Sequence, residues 1–200
     1  LSGDPLIVGL EDSARHLLET TNMLLDHARI DAGKWPLNLE FFPLRELLED
    51  MVRQHRTTAG YKSLNINCQI HPNVPERICT DPEIVRRILD YIINNAIKFT
   101  HDGGITLMVE ATPIDRKQVS VRIDILDTGI GFDELFKARA FELFELADMS
   151  TTRIRQGFGL GLSLSKKLCQ LLGGEIGCES NPKRGTVFWF IVPCAVEDNA

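Results

Sequence analysis

Long apolar runs are missing from this 200-residue chain. The nearest candidate, Val187–Val192, is short and is closed by Pro193, whereas a membrane-spanning helix needs roughly 20 apolar residues. Leu1–Asp4 carries no charged segment leading into an apolar core, so no signal peptide is read there. Paired cysteines are missing too. Cys68, Cys79, Cys169, Cys178 and Cys194 form no C-x-x-C and are odd in number, which speaks against a zinc site and a disulfide framework. Buried free thiols in a reducing, cytoplasmic setting are the expectation. Positive charge is in deficit, with 22 Lys and Arg against 28 Asp and Glu and a net charge of −6. A phosphate-tracking nucleic-acid binder has the opposite footprint. A small anionic ligand held by a few local cations and backbone N–H groups stays open. Internal repeats and low-complexity tracts are also absent. What is present, 44% hydrophobic and 25% charged residues, is the composition of a globular protein able to bury a core. The length allows one full domain and an appendage.

From Leu10 onward, apolar or small residues recur at Leu10, Ala14, Leu17, Thr21, Leu24 and Ala28, alternately four and three apart. This heptad seam, with Gly33 placed for a left-handed C-cap, predicts a helix over residues 8–32. A stripe only two positions wide in seven suits a helical bundle better than the alternative, a surface helix of the same globule. Trp35 and Pro36 break the pattern and place a domain boundary near residue 34, dividing the chain into 1–34 and 35–200.

Beyond the boundary, Leu37–Phe42 reads as a short strand with Leu37, Leu39 and Phe41 alternating. Pro43 opens a helix whose apolar face is Leu44, Leu47, Leu48, Met51 and Val52, and Leu64, Ile66, Cys68 and Ile70 alternate as a half-buried strand. Thr80 or Asp81 caps a helix running through Ile84, Val85, Ile88, Leu89, Ile92 and Ile93 to about Phe99. Strands Ile105–Glu110 and Val119–Leu126 follow, joined by a polar hairpin. Residues 127–160 are irregular and glycine-rich, the signature of a functional lid. A helix over Leu160–Leu172 and strands near 175–179 and 186–192 complete the pattern. Elements in this order predict an α/β two-layer sandwich, a mixed sheet with helices on one face.

Four clusters carry chemistry. Asn94–Thr100 ends an amphipathic helix, where an amide oxygen can ligate magnesium and Lys98, one turn on, can pair with phosphate. Asp127-Thr128-Gly129-Ile130-Gly131 follows an apolar strand, where a carboxylate can accept from an exocyclic amine such as that of adenine. Gly157-Phe158-Gly159-Leu160-Gly161-Leu162 opens a helix and aims free N–H groups at an anion. It has neither the Gly-Lys-Ser/Thr of a P-loop nor the G-x-G-x-x-G of a dinucleotide fold. Gly185-Thr186-Val187-Phe188 starts the last strand. Each is weak alone, but their order and separations are specific.

Together they resemble the catalytic ATP-binding domain of two-component sensor histidine kinases, within the superfamily that includes gyrase, the Hsp90 chaperones and MutL. Asn95-Ala96-x-Lys98-Phe99-Thr100 looks like the N box, and Asp127-x-Gly129-x-Gly131 and Gly157-x-Gly159-Leu160-Gly161-Leu162 the two glycine boxes. Phe141-Glu142-Leu143-Phe144 followed by Ala147-Asp148-x-Ser150-Thr151-Thr152-Arg153 is similar to the phenylalanine box and lid. Leu24-Leu25-Asp26 and Ile30-Asp31-Ala32-Gly33-Lys34 look like the end of the second dimerisation helix common among hybrid kinases.

The resemblance implies a Bergerat-type ATP fold preceded by one helix of a dimerisation hairpin, with ATP and Mg2+ as cofactors. It implies Asn95 as the magnesium ligand, Lys98 on phosphate, Phe99 near the base, and Asp127 on the adenine amino group with Thr186 nearby. Gly159, Leu160, Gly161 and Leu162 would wrap the phosphates, and Arg153 or Arg155 would reach the outermost one. The implied activity is phosphoryl transfer to a histidine of a homodimeric, cytoplasmic kinase region in a membrane-anchored sensor, for relay to a response regulator or receiver domain. No nucleic-acid or membrane contact is implied.

Two departures stand out. Tyr91 occupies the N-box position that normally holds a polar residue, usually Asn, and Gln156 and Phe158 replace Gly and Thr. No histidine has the expected acceptor context: His16 precedes Leu17-Leu18 and His27 precedes Ala28-Arg29. The chain therefore reads as a piece beginning just before the second dimerisation helix. The competing expectation is a degenerate kinase acting as a regulatory module on another histidine kinase. A gyrase-type hydrolase is disfavoured because those enzymes place a Glu base where Tyr91 stands, and Tyr is a poor base near neutral pH.

Overall fold

The computed structural model describes residues 5–145, 159–182 and 184–197. It contains α1 (Pro5–Asp31), β1 (Glu40–Pro43), α2 (Leu44–Gly60), β2 (Asn65–Ile70), β3 (Arg77–Thr80), α3 (Pro82–Phe99), β4 (Gly104–Pro113), β5 (Gln118–Asp127), α4 (Glu134–Lys137), α5 (Gly161–Leu171), β6 (Glu175–Asn181) and β7 (Gly185–Val196). The seven strands form one mixed sheet in the order β1-β3-β7-β5-β4-β2, with β6 also on β7. Only β2 and β4 run parallel among the described pairs.

Strand alternation explains the two layers. Val119, Val121, Ile123 and Ile125 of β5 and Phe188, Phe190, Val192 and Cys194 of β7 are buried on the face covered by α3 and α5, with α2 lying over β2. The opposite face is polar at its centre, where Arg122 forks onto Asp124 and lies 4.8 Å from the centroid of Trp189. The expected two-layer sandwich is thus the observed one.

Helix α3 is the central support of the site. Asp81, not Thr80, is its N-cap, accepting from the amides of Glu83 and Ile84 at 3.0 and 3.1 Å, with Pro82 in the first turn. Ile84, Val85, Ile88, Leu89, Ile92, Ile93, Ala96 and Ile97 form one fully buried face. At the other end Lys62 donates to the carbonyls of Ile97 and Lys98, placing a cation at the negative end of the helix. Asp81 also accepts from the Asn38 amide at 2.8 Å, which ties the linker to the helix. Losing a cap and a second buried acceptor together, Asp81→Ala is expected to cost about 2 kcal/mol, read from urea unfolding.

Helix α1 ends as predicted. Gly33 is left-handed at φ +63°, and the amides of Gly33 and Lys34 close a Schellman motif on Ile30 and Arg29. The seam residues Leu10, Ala14, Leu17, Thr21, Leu24 and Ala28 are exposed, while Met23 and Ile30 on another face pack against the core.

Three expectations are corrected. The first strand is Glu40–Pro43 rather than Leu37–Phe42, and the inward residue is Phe42, with Leu37, Leu39 and Phe41 exposed. Its register is set by β3, through Phe41↔Cys79 and Phe42↔Ile78, and β3 has no counterpart in the sequence reading because four residues give no usable period. The last strand runs past Pro193 to Val196. Pro193 falls between the stretch of β7 paired with β6, which ends at Ile191, and the stretch paired with β3, which begins at Ala195. The residue without an N–H thus falls at a gap along that edge of β7, while on the other edge it is in register with Ser120 of β5.

Candidate functional site

Three segments meet at one end of the sheet: the C-terminal turn of α3, the loop after β5, and the start of β7. Asp127 joins the last two. The residue is 9% exposed, and Oδ1 accepts from the amides of Gly129 at 2.8 Å and Thr186 at 3.2 Å. Oδ2 has no partner among the described residues. Burial raises the Asp127 carboxyl above the ordinary aspartate range, and the two amides pull it partly back. The loop is also tied to α3, since Ile130 N–H donates to the Phe99 carbonyl at 3.3 Å.

The glycines here serve internal packing. A Cβ at Gly129 would lie 2.6 Å from the Phe99 carbonyl oxygen, and one at Gly185, where φ is +88°, would lie 2.0 Å from the Asp127 carbonyl oxygen. At both positions backbone approaches backbone closely. Gly131 has φ +63°, the conformation that turns the loop.

Thr186 is buried and its hydroxyl meets that of Ser180 at 3.0 Å. Ser180 also accepts from the Phe132 amide and donates to the Gly185 carbonyl, so one hydroxyl locks three segments together. Sequence reasoning missed Ser180. Its only signal is the β6–β7 register, Ser180↔Thr186, which composition does not reveal. Phe132, Phe136, Phe141 and Phe188 pack beside it with centroids 5.0 to 6.3 Å apart, which seats α4 and the start of the phenylalanine box on β7.

On α3, Arg87, Tyr91 and Asn95 recur at four-residue spacing along one stripe. Asn95 is half-buried, and its side chain bonds to none of the described residues. Lys98 Nζ sits 5.0 Å from the Phe99 centroid, and burial, helped by the nearby Lys62, lowers its pKa. Tyr91 is half-buried and pushed up to about 12, by burial first and then by Asp26, so it is even less fit to be a base. Its ring lies 3.7 Å from where a Cβ on Gly161 would stand.

Helix α5 begins at Gly161 with no side-chain cap, and Leu164 is the first residue whose amide turns back onto Leu160. The preceding amides are therefore unclaimed by the helix. The side chains of Leu160 and Leu162 are buried. Gly159, at φ +67°, packs on the backbone of Phe144 and Glu145, which brings the phenylalanine box to the second glycine box. Arg153, Arg155, Gln156, Gly157 and Phe158 lie outside the described residues.

The donor set suits a magnesium nucleotide. Asn95 offers a hard oxygen, Lys98 a cation, the start of α5 free amides, and Asp127 an open acceptor in a low-dielectric niche. No cluster of three or more His, Cys, Asp or Glu that could hold a metal occurs among the described residues. A magnesium ion here would rest on Asn95 and the nucleotide's own phosphates. No described helix is long and apolar enough to cross a membrane.

Comparisons with known proteins give the family. Residues 80–196 match the family described as histidine kinase-, DNA gyrase B- and HSP90-like ATPase. The signal transduction histidine-protein kinase BarA of Escherichia coli K12 is 36% identical over 190 residues, covering 95% of this chain and 21% of that protein. The sensor protein GacS of Pseudomonas syringae pv. syringae is 37% identical over 191 residues, covering 94% of this chain and 21% of that protein. The chain thus spans about a fifth of the length of these relatives. The crystal structure of full-length ShkA in complex with AMPPNP superposes with a TM-score of 0.82 at 32% identity, covering 96% of this chain and 39% of that one. On the family match over residues 80–196 and relatives aligned over nearly the whole chain, the chain belongs to this ATPase family and carries the ATP-binding catalytic domain of a sensor histidine kinase.

Proposed function

We propose that residues 35–200 hold Mg-ATP and, within the longer protein, deliver its terminal phosphoryl group to a histidine on a dimerisation helix outside this chain, for relay to a receiver aspartate. Residues 1–34 are then half of the dimerisation hairpin, and the exposed seam of α1 is the surface a homodimer would cover. The observation that carries the reading is Asp127: a buried carboxylate with Oδ1 fixed by two amides and Oδ2 left to accept from an adenine amino group.

The remaining roles follow the site. Phe99 flanks the base, with Gly129 and Gly131 shaping its loop and Thr186 supporting Asp127. The amides from Gly159 to Leu162 bind the phosphates, with Gly157 ahead of them. Lys98, and Arg153 or Arg155 of the lid, add positive charge. Asn95 orients the metal. When bound, magnesium neutralises phosphate charge and polarises the terminal group. Catalysis by this chain is positioning and charge stabilisation, with no covalent step of its own.

One second reading has an observation behind it: Tyr91, the residue that a Cβ at Gly161 would meet at 3.7 Å, stands where an amide is usual. Under that reading the domain binds nucleotide and modulates another histidine kinase. Phosphotransfer from ATP by the full-length protein separates the two. Transfer supports the kinase; binding with no transfer, restored by Tyr91→Asn, supports the modulator.

Gly161 provides an independent prediction. A Cβ there meets only ordinary contacts, at 3.7 Å or more, so Gly161→Ala is expected to shift stability by less than about 1 kcal/mol. Because it narrows the approach of backbone to phosphate, nucleotide affinity is expected to fall about tenfold, measured by calorimetry.

A further inference from the structure

The last carbonyls of α3, which the helix itself leaves without donors, are divided between two partners. Phe99 accepts from the Ile130 amide in the loop after β5, at 3.3 Å. Lys62 takes the others. Its Nζ donates to the carbonyls of Ile97 at 2.6 Å and Lys98 at 2.9 Å, and reaches that of Thr100 at 3.5 Å. Lys62 comes from the turn between α2 and β2, 35 residues before Ile97, and belongs to none of the nucleotide motifs.

That turn has a defined geometry. Helix α2 closes in a Schellman motif, in which the Leu64 amide bonds the Ala59 carbonyl at 3.0 Å and the Ser63 amide bonds that of Gly60 at 2.9 Å. The left-handed position of such a motif is usually Gly, yet here it is Ser63 at φ +58°. A side chain in that region is strained, and the strained residue adjoins the one that reaches α3. The Asn65 amide then bonds the Gly103 carbonyl at 3.1 Å. From the other side the Thr128 hydroxyl donates to the Asp102 carbonyl at 2.7 Å and accepts from the Gly104 amide at 3.0 Å. Residues 100–104 are thus clasped between the Lys62 turn and the loop that follows Asp127.

We propose that Lys62 is a positioning residue for adenine nucleotides, holding the last turn of α3 so that Lys98, Phe99 and the loop after Asp127 keep one fixed relation. This rests on the nucleotide reading above and adds to it a residue outside the motifs. With Lys62 in place, the Phe99 carbonyl is the one left for Ile130, and the loop carrying Gly129 is anchored on α3. Without the ammonium, Ile97 and Lys98 lose their donor and the turn frays. Phe99 moves with the turn, Ile130 loses its acceptor, and ordering the loop must be met from binding energy. The Lys62 charge is spent on carbonyls, so its part is indirect, whereas Lys98 keeps its charge for phosphate.

The test pairs calorimetry with amide hydrogen exchange read by NMR, both on the whole chain. Lys62→Met, which keeps an unbranched stem and removes the charge, is expected to bind Mg-ADP about fivefold more weakly. In the nucleotide-free variant the Ile130 amide is expected to exchange about tenfold faster. Lys62→Arg can still reach the carbonyls and is expected to restore both. A role confined to the stability of the α2 turn would leave Ile130 unmoved. If Lys62→Met does not fold, Lys62→Gln, a neutral donor of shorter reach, is read in the same way. A folded variant that binds Mg-ADP as tightly as the unmodified protein, or that exchanges Ile130 at the unmodified rate, overturns the proposal and leaves the nucleotide site standing. A folded, unmodified protein that binds no Mg-ADP removes the nucleotide reading and the proposal with it.

Discussion

Asp127→Asn is expected to weaken adenine nucleotides about a hundredfold while leaving the fold at least as stable. The affinity loss follows from the geometry. An asparagine oxygen can still accept from Gly129 and Thr186, but the group facing the base becomes an NH2, which opposes the adenine amino group instead of accepting from it. A charge-assisted hydrogen bond is replaced by a donor facing a donor, about 2.7 kcal/mol. Preference for adenine over guanine nucleotides is expected to vanish with it.

The stability of the same variant carries a sign that can be checked. Burial raises the folded Asp127 pKa above its unfolded value. Such a group contributes stability that is complete below the unfolded pKa and is lost as pH rises through the folded one. At neutral pH the native protein therefore bears the cost of a buried charge, and the amide does not. Thermal unfolding should show Asp127→Asn melting at or above the unmodified protein at pH 7, with the difference closing on acidification below the folded value. A variant that lost both stability and affinity would mean that Asp127 is chiefly a structural residue.

Gly185→Ala carries the largest expected loss of stability. Its left-handed φ of +88° strains any side chain, and a Cβ would stand 2.0 Å from the Asp127 carbonyl oxygen, which is backbone within a three-strand stretch of sheet and cannot move aside. A cost of about 3 kcal/mol, or roughly 6 to 12 °C in melting temperature for a chain of this size, is expected. Nucleotide binding should fall in parallel, because any shift of Asp127 backbone displaces the carboxylate.

What the sequence disclosed depended on whether the signal was local. Helix α3 was legible because its cap, its first-turn proline and its 3.6-residue apolar period all lie within one stretch and agree. The glycine boxes were legible as spacing. Strand β3 was not, since four residues with one large inward apolar side chain, Ile78, contain no period, and without it β1 was read with Phe41 in the alternating set where Phe42 is the inward residue. Ser180 was invisible for another reason: its importance comes wholly from the β7 residue placed opposite it. The packing role of Gly129 was hidden for the same long-range reason, because the group that excludes a side chain there is the Phe99 carbonyl on a different element. On α1 the seam announced itself, whereas Asp26, followed by another polar residue, gave no hint that it would be buried against Arg87.

The net charge of −6 bears on the central claim. An acidic domain holds an anionic nucleotide only where local cations and amides outweigh the rest of the surface, so the site must work through Lys98, the α5 amides and magnesium together. Calorimetric titration with ADP, in the presence and absence of magnesium, measures this directly. The account predicts saturable one-to-one binding that weakens when magnesium is removed or GDP replaces ADP. A folded sample that gives no binding heat with Mg-ADP, or that binds Mg-GDP equally well, contradicts it.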